Sequence, residues 1–252
     1  MVIPDCQVKP GVDVSHMTWI GKYMVEKQPD VVVCIGDFAD MPSLSSYDRG
    51  KRSFEGRTYR ADVEAVGSAM RELLAPLRAF QKTKVGKAYK PRMVMTLGNH
   101  ENRINRAIEE DSKLHGTIST KDLGYEADGW EVYQFLKVVA VDGVAYSHYF
   151  VNGVMGRPVT SARALVKRLH QSATMGHVQT TDIYMGDARA DGTNVVGLFC
   201  GTCYLHDEEY LGPQGNAQRR QIVMCHDVND GAYDPMFVSL DFLRRKYEGG
   251  KK

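Results

Sequence analysis

Three times along this chain an apolar run stops at proline or glycine and hands over to a ligand-type side chain. The three are Val2-Ile3-Pro4-Asp5, Ile35-Gly36-Asp37 and Leu97-Gly98-Asn99-His100. Two later runs end similarly, at Tyr146-Ser147-His148 and Met175-Gly176-His177. Short β-branched runs bounded by turn residues read as strands. The C-terminal ends of strands in layered α/β folds form the crevice where sites are built. Taken singly, an Asp after a strand is a turn or helix-capping residue, and a lone His in an apolar run is a hydrogen-bonded core residue. The ordered set is a stronger constraint. It asks for a fold that brings five strand ends to one place, with carboxylates, an amide and imidazoles of the types that hold a divalent first-row ion or a pair of ions.

The length of 252 residues allows one large domain or two small ones, and it can bury a full core without disulfides. Apolar residues make up 43% and charged residues 25%, which excludes a highly charged disordered chain. No run is long and apolar enough for a membrane span, and no signal peptide is visible at MVIPDCQVKPG. The five cysteines (Cys6, Cys34, Cys200, Cys203 and Cys225) are odd in number and sparse, which reads as reduced and cytoplasmic. Cys200 and Cys203 form a lone C-x-x-C, read as two small residues at a strand end rather than half of a zinc site. Net charge is +1, but residues 41–90 hold 11 Lys or Arg against five acids, a local +6 that leaves the remainder at −5.

Strands are expected at 30–36, 92–97, 132–141, 143–149, 173–177, 194–200, 221–227 and 236–241. Helices are expected at 15–28, 60–82, 101–110 and 160–171. In the second of these, Val63, Val66, Met70, Leu73, Leu74 and Leu77 repeat at three and four to give one apolar face. Only Met1 to Pro4 precede Asp5, so the first strand is expected to be cut short. The pattern is an α/β layered fold with a strand-rich second half and no linker, read as one domain over 1–252 with a basic insert at about 41–90.

The order of motifs resembles the calcineurin-like metallophosphoesterases, including their phage-encoded branch. The residues that carry the resemblance are D5-C-Q7, G36-D-F-A-D40, G98-N-H-E101, His148 and G176-H-V-Q179. The resemblance implies a four-layer αββα sandwich with mixed sheets and two divalent ions at its edge. Manganese is the first expectation, with Mg, Ni, Fe or Zn as the others. By position, one ion would be held by Asp37, Asn99, His148 and His177, and the other by Asp5, Gln7, Asp37 and Gln179, with Asp37 shared. The implied reaction is hydrolysis of a phosphate ester by a metal-bound hydroxide. His100 would act as charge stabiliser or general acid, oriented by Asp40. Glu101 is expected in the first turn of the following helix, with Arg103 pairing with it or reaching for phosphate.

The family has His where this chain has Gln7 and Gln179. Both fall in one site, which becomes nearly all oxygen and suits Mn²⁺ or Mg²⁺ better than Zn²⁺. That site is read as retained but weak; the other reading leaves it empty at rest. The basic loop offers Arg49, Lys51, Arg52 and Arg57 interleaved with Tyr47, Phe54 and Tyr59, a mix compatible with phosphate contact and base stacking. A nucleic acid or nucleotide is one substrate reading, and a phosphoprotein or small phosphomonoester the other. A catalytically silent binding module on the same scaffold is the alternative of another class. His16, His115, His170, His206 and His226 match no motif and read as surface or structural, with His16 and His206 the two that could line the site. Arg157 or Arg163 could clamp phosphate, or Thr160 or Ser161 could cap the next helix. Residues 210–216 read as a turn-rich loop without chemistry. The sequence leaves oligomeric state open.

Overall fold

β-Branched runs and amphipathic helices alternate through the first 110 residues. In the computed structural model, which describes residues 1–186, 189–190, 192–208 and 211–249, they form β1 (Val2–Ile3), α1 (Ser15–Lys27), β2 (Val31–Cys34), α2 (Tyr59–Gln81), β3 (Arg92–Thr96) and α3 (Arg103–Glu110). Thr58 caps α2 by accepting from the Ala61 N–H at 3.2 Å, and Gln28, left-handed at φ 46°, closes α1. The second half adds β4 (Glu131–Tyr133), β5 (Val139–Val141), β6 (Val144–Tyr146), β7 (Val151–Asn152), β8 (Arg157–Pro158), α4 (Ala162–Leu169), β9 (Ala173–Met175), β10 (Thr181–Met185) and β11 (Val196–Cys200). It ends with α5 (Gly212–Asn216), β12 (Gln221–Asn229), β13 (Ala232–Ser239) and α6 (Leu240–Glu248).

Two mixed sheets result. The first runs β13-β12-β1-β2-β3-β4, with β1 to β4 parallel and β12 and β13 antiparallel. The expected short first strand is two residues long, yet it sits mid-sheet, with Val2 opposite Val33 on one side and Val223 on the other. The second sheet runs β10-β11-β9-β6-β5, with β11, β9 and β6 parallel and the two outer strands antiparallel. A small hairpin, β7-β8, stands apart.

Three apolar cores follow from which face each element buries. Met17, Ile20 and Met24 of α1, Met70, Leu73 and Leu74 of α2, and Leu243 of α6 pack on Ile3, Val32 and Met95 of the first sheet. Val2, Val33, Val94 and Val223 of that sheet meet Val144, Val196 and Leu198 of the second. Ala162 and Leu165 of α4 pack on Ala173, Met175 and Phe199 on the second sheet's other side. The expected apolar face of α2 lies wholly in or against the first core.

Several expectations are corrected. The run 132–141 is two strands in different sheets, because the chain turns at 134–138, where Leu136 is left-handed (φ 65°). The run 236–241 is the end of β13 and the start of α6, which Ser239 caps by accepting from Phe242 N. The edge strand β10 and the hairpin β7-β8 had no expectation. Residue 210 lies outside the described residues, and Gly212–Asn216 is a short helix rather than loop. The cysteines are free thiols, and Cys200 closes β11. Among the described residues no helix is long and apolar enough to cross a membrane.

His16 faces the core from the first turn of α1, 1% exposed, against the backbone of Cys203. Burial pushes it down to about 4. An unfolded histidine titrates near 6.5, so between about 4 and 6.5 the unfolded chain binds a proton that the folded chain refuses. Stability to urea is therefore expected to fall as pH drops through that window. His16→Met is expected to flatten the fall relative to wild type, as measured by urea midpoints from pH 7 to pH 4.

Candidate functional site

The parallel strands bring the five expected strand ends to one edge shared by the two sheets. Asp5 follows β1, Asp37 follows β2, and Asn99 and His100 follow β3. From the second sheet, His148 follows β6 and His177 follows β9. Ligand atoms of Asp37, His148 and His177 lie within 4.8 Å of one another. Asn99 Oδ1 is 3.0 Å from His148 Nε2 and 2.8 Å from His177 Nδ1. His148 donates Nδ1–H to the Ile35 carbonyl at 2.9 Å, which turns Nε2 toward Asn99 Oδ1 and Asp37 Oδ2, the latter at 3.2 Å.

That arrangement puts an imidazole nitrogen against two oxygen acceptors, so a proton or a cation must sit among them. Burial disfavours a charged His148, but the Asp37 and Asp5 carboxylates and the Ile35 carbonyl together outweigh it and push the ring up to about 9. Burial and the neighbouring His148 push His177 down to about 4, so it stays neutral. Asp37 is buried too, yet His100 and His148 hold it well below the ordinary carboxylate range. The bond from His148 Nδ1–H to a backbone carbonyl is the usual outer contact of a metal-ligating His, and an ion bound at Nε2 would displace the proton there. The donor set of two imidazoles, one carboxylate and one amide oxygen fits a divalent first-row ion.

The second expected set is less closely knit. Asp5 accepts from the His177 N–H at 3.2 and 3.1 Å. Burial pushes it up to about 7, with His148 opposing and Asp37 adding to the rise. Gln7 is fully buried, and neither atom of its carboxamide has a hydrogen-bond partner among the described residues. An orphaned buried amide beside a protonatable buried carboxylate suits an oxygen-ligated cation. Gln179 lines the cleft and accepts from Tyr204 Oη at 3.0 Å.

Close packing explains the glycines. A Cβ at Gly98 would lie 2.1 Å from Asp37 Oδ1, and one at Gly176 would lie 2.3 Å from Asp5 Oδ1. The ligand-bearing residues absorb the resulting backbone strain: Gln7, Asp37, His177 and Gln179 all have φ between 49° and 68°.

Glu101 lies outside the helix in which it was expected, since α3 begins at Arg103. Its buried carboxylate accepts from the N–H groups of Asp37, Ala39 and Gly98 at 3.0, 2.9 and 2.8 Å. His100 donates its backbone N–H to Asp37 Oδ1 at 2.9 Å, and its Nδ1 sits 2.7 Å from Asp40 Oδ1. Burial opposes charge on His100, but Asp37 and Asp40 prevail and raise it. Arg103 pairs not with Glu101 but with Asp40, Nη1 donating to its carbonyl at 2.7 Å and to Oδ1 at 3.1 Å, while Nη2 lies 3.3 Å from His100 Nε2.

Asp37, Asp40, Asn99, His100, Arg103, His177 and Gln179 line an open cleft of about 1330 Å³, while Asp5, Gln7, Glu101 and His148 lie behind its wall. The basic loop contributes less than its charge suggests. Lys51 and Arg57 line the cleft but both pair with Asp48 at 2.9 Å, and Arg57 covers the Phe54 ring. Arg49 pairs with Glu110 outside the cleft lining, and Arg52 is exposed outside it as well. Tyr59 bonds Asp122 and Ser119, while Tyr47 stays 79% exposed on the cleft wall. Arg163 stacks on Tyr184, and Ser161 caps α4. Sequence reasoning missed Lys9 and Glu208, an ion pair at 2.7 Å that lines the same cleft. Glu208 lies on the loop that leaves β11, one more parallel strand end, eight residues past Cys200.

Glu101→Ala leaves three buried N–H groups without an acceptor. It is expected to cost about 3 kcal/mol or more of folding stability in urea unfolding. Glu101→Gln, which keeps one carbonyl oxygen, should cost less.

No protein-family model matches the chain. Over 103 residues it is 33% identical to the Gene 54 protein of Mycobacterium phage D29. The matched stretch is 41% of this chain and 36% of that protein.

Proposed function

We propose that this chain is a metal-dependent phosphoesterase of the calcineurin-like type. The observation that carries the reading is the convergence of Asp37, Asn99, His148 and His177, from strand ends of both sheets, beside the Asp40–His100 dyad. The sequence of cores, helices on sheet, sheet on sheet and sheet on helix, supports the four-layer αββα form. A single centre assembled from residues 5 to 177 supports one domain. Two divalent ions are proposed, manganese first, with the Asp5–Gln7–Gln179 side the weaker site. Cytoplasmic residence accords with five free thiols.

Bound ions would polarise phosphoryl oxygens and lower the pKa of water. The chain's own residues do the rest. Asp40 holds His100 by Nδ1, so that Nε2, 3.3 Å from Arg103 Nη2, is the nitrogen that would carry a proton toward a departing oxygen. Arg103, fixed on Asp40 and lining the cleft beside His100, faces the position of phosphate oxygens.

The test is a panel of aryl monoester, aryl diester, cyclic nucleotide and single-stranded DNA with Mn²⁺, Mg²⁺, Ni²⁺ or Zn²⁺. Turnover is expected with Mn²⁺. It should be lost with EDTA and lowered by at least about 10²-fold in His177→Ala, with circular dichroism unchanged. No turnover with any metal would overturn the reading in favour of a binding module.

The cleft lining favours a compact phosphate ester over a long polyanion. Lys51 and Arg57 share Asp48, Arg49 and Arg52 lie outside the lining, and the cleft as a whole holds more carboxylates than cations. Activity is therefore expected to vary little between about 50 and 200 mM salt. A steep log–log decline would instead indicate a nucleic-acid track.

A further inference from the structure

The end of β11 carries the chain to Glu208, which is 4% exposed at the cleft wall. Lys9, two residues beyond Gln7, reaches it from the first strand end. Lys9 Nζ lies 2.7 Å from both Glu208 oxygens and 3.3 Å from Asp40 Oδ2. An ammonium has three protons, and three carboxylate oxygens surround this one. Lys9 is thus committed within the protein, although it lines the cleft.

Asp40 is the recipient that matters. Its Oδ1 already takes His100 Nδ1 and Arg103 Nη1, so Lys9 completes the other oxygen. Asp40 and Glu208 are both buried and share this one cation. Removing it would leave two carboxylates facing one another away from water, a costly state that side-chain rotation relieves. Any such rotation of Asp40 releases His100.

Glu208 is itself held on several sides. Its backbone N–H donates to Asn216 Oδ1 and its carbonyl accepts from Asn216 Nδ2, both at 2.8 Å. Its Oε1 meets His206 Nε2 at 2.7 Å. The His206 ring stacks on Tyr204, whose hydroxyl donates to Gln179. Residues 204–208 thereby connect the two sides of the cleft.

We propose that Lys9 and Glu208 are a positioning pair that fixes Asp40, and through it the His100 ring, for proton delivery to the leaving group. The role given to His100 rests on the phosphoesterase reading; the geometric hold does not. The experiment compares wild type, Lys9→Met, Lys9→Arg and the near-isosteric Glu208→Gln. Two readouts are taken: turnover of p-nitrophenyl and phenyl phosphate by the Mn²⁺-loaded protein, and the His100 Nδ1–H resonance of the ¹⁵N-labelled protein with diamagnetic Mg²⁺ in place of Mn²⁺.

Lys9→Met and Glu208→Gln are expected to lower kcat on phenyl phosphate, the poorer leaving group, by about tenfold or more. The expected loss on the p-nitrophenyl ester is under about threefold, with KM little changed on either, because a better leaving group needs less proton assistance. Lys9→Arg should restore the rate, and the His100 resonance should be lost in Lys9→Met and kept in Lys9→Arg. Equal losses on both esters, or no loss, with the resonance retained, would overturn the proposal. If wild type turns over neither ester, the phosphoesterase reading fails by itself. The resonance then decides the pair alone: its loss in Lys9→Met supports the hold, and its retention refutes it. Should Lys9→Met fail to fold, Glu208→Gln carries the same two outcomes.

Discussion

The site depends on one buried carboxylate that reaches no ligand position itself. Glu101 gathers the N–H groups of Asp37, Ala39 and Gly98 from two different strand ends. Each of those groups has left its sheet's ladder, and each would be expensive to bury unpaired. With them satisfied, the loop after β2 and the loop after β3 become one rigid body. Asp37 can then present its carboxylate to His148 on one side and accept the His100 backbone N–H on the other. The placing of Asp37 beside Asn99 follows from that lock, and the second sheet brings the two imidazoles to it.

The lock also explains where strain sits. Asp37 must turn left-handed at once after Gly36, and Gly98 must come close enough that no Cβ fits beside Asp37. His177 does the same after Gly176, with its N–H on Asp5. Left-handed geometry at non-glycine residues costs free energy, and persists where surrounding bonds over-determine it. Here the compensation is visible as hydrogen bonds from the same backbone atoms to buried carboxylates. It is paid locally, at the strand ends that carry the ligand-type side chains.

Much of this was legible in the residues. An apolar run, a glycine and a ligand-type side chain form a local pattern, and all five strand ends fell where it placed them. The face of α2 was legible because a three-and-four repeat survives any tertiary context. What escaped depends on partners distant in sequence. Glu101 looked like a helix-start acid, because nothing local reveals three N–H groups from residues 37, 39 and 98. Glu208 stands eight residues past the end of β11, too far from Gly201 for the strand-end pattern to mark it, and its partner lies 199 positions away. The split of 132–141 turned on one left-handed residue, Leu136, in a segment whose composition reads as continuous strand.

Charge is the clearest case of a one-dimensional property misleading about a three-dimensional one. The three cations of α2 are matched by three acids of the same helix, four lysines of the surplus (Lys82, Lys84, Lys87 and Lys90) lie beyond the helix and off the cleft lining, and others are paired off, as in Arg49 with Glu110 and Arg57 with Asp48. The cleft itself is lined by seven carboxylates, among them Asp48, Asp62, Asp207 and Glu208, and by five Lys or Arg side chains. An acid surplus in a concave site repels an anion such as a phosphate. Divalent ions at the Asp37 centre would reverse that sign, since two such charges exceed the surplus. The ability of this cleft to accept an anion is then not a property of its basic loop. On the proposed function, cation affinity and phosphate affinity would be one quantity, set by the same few strand-end residues.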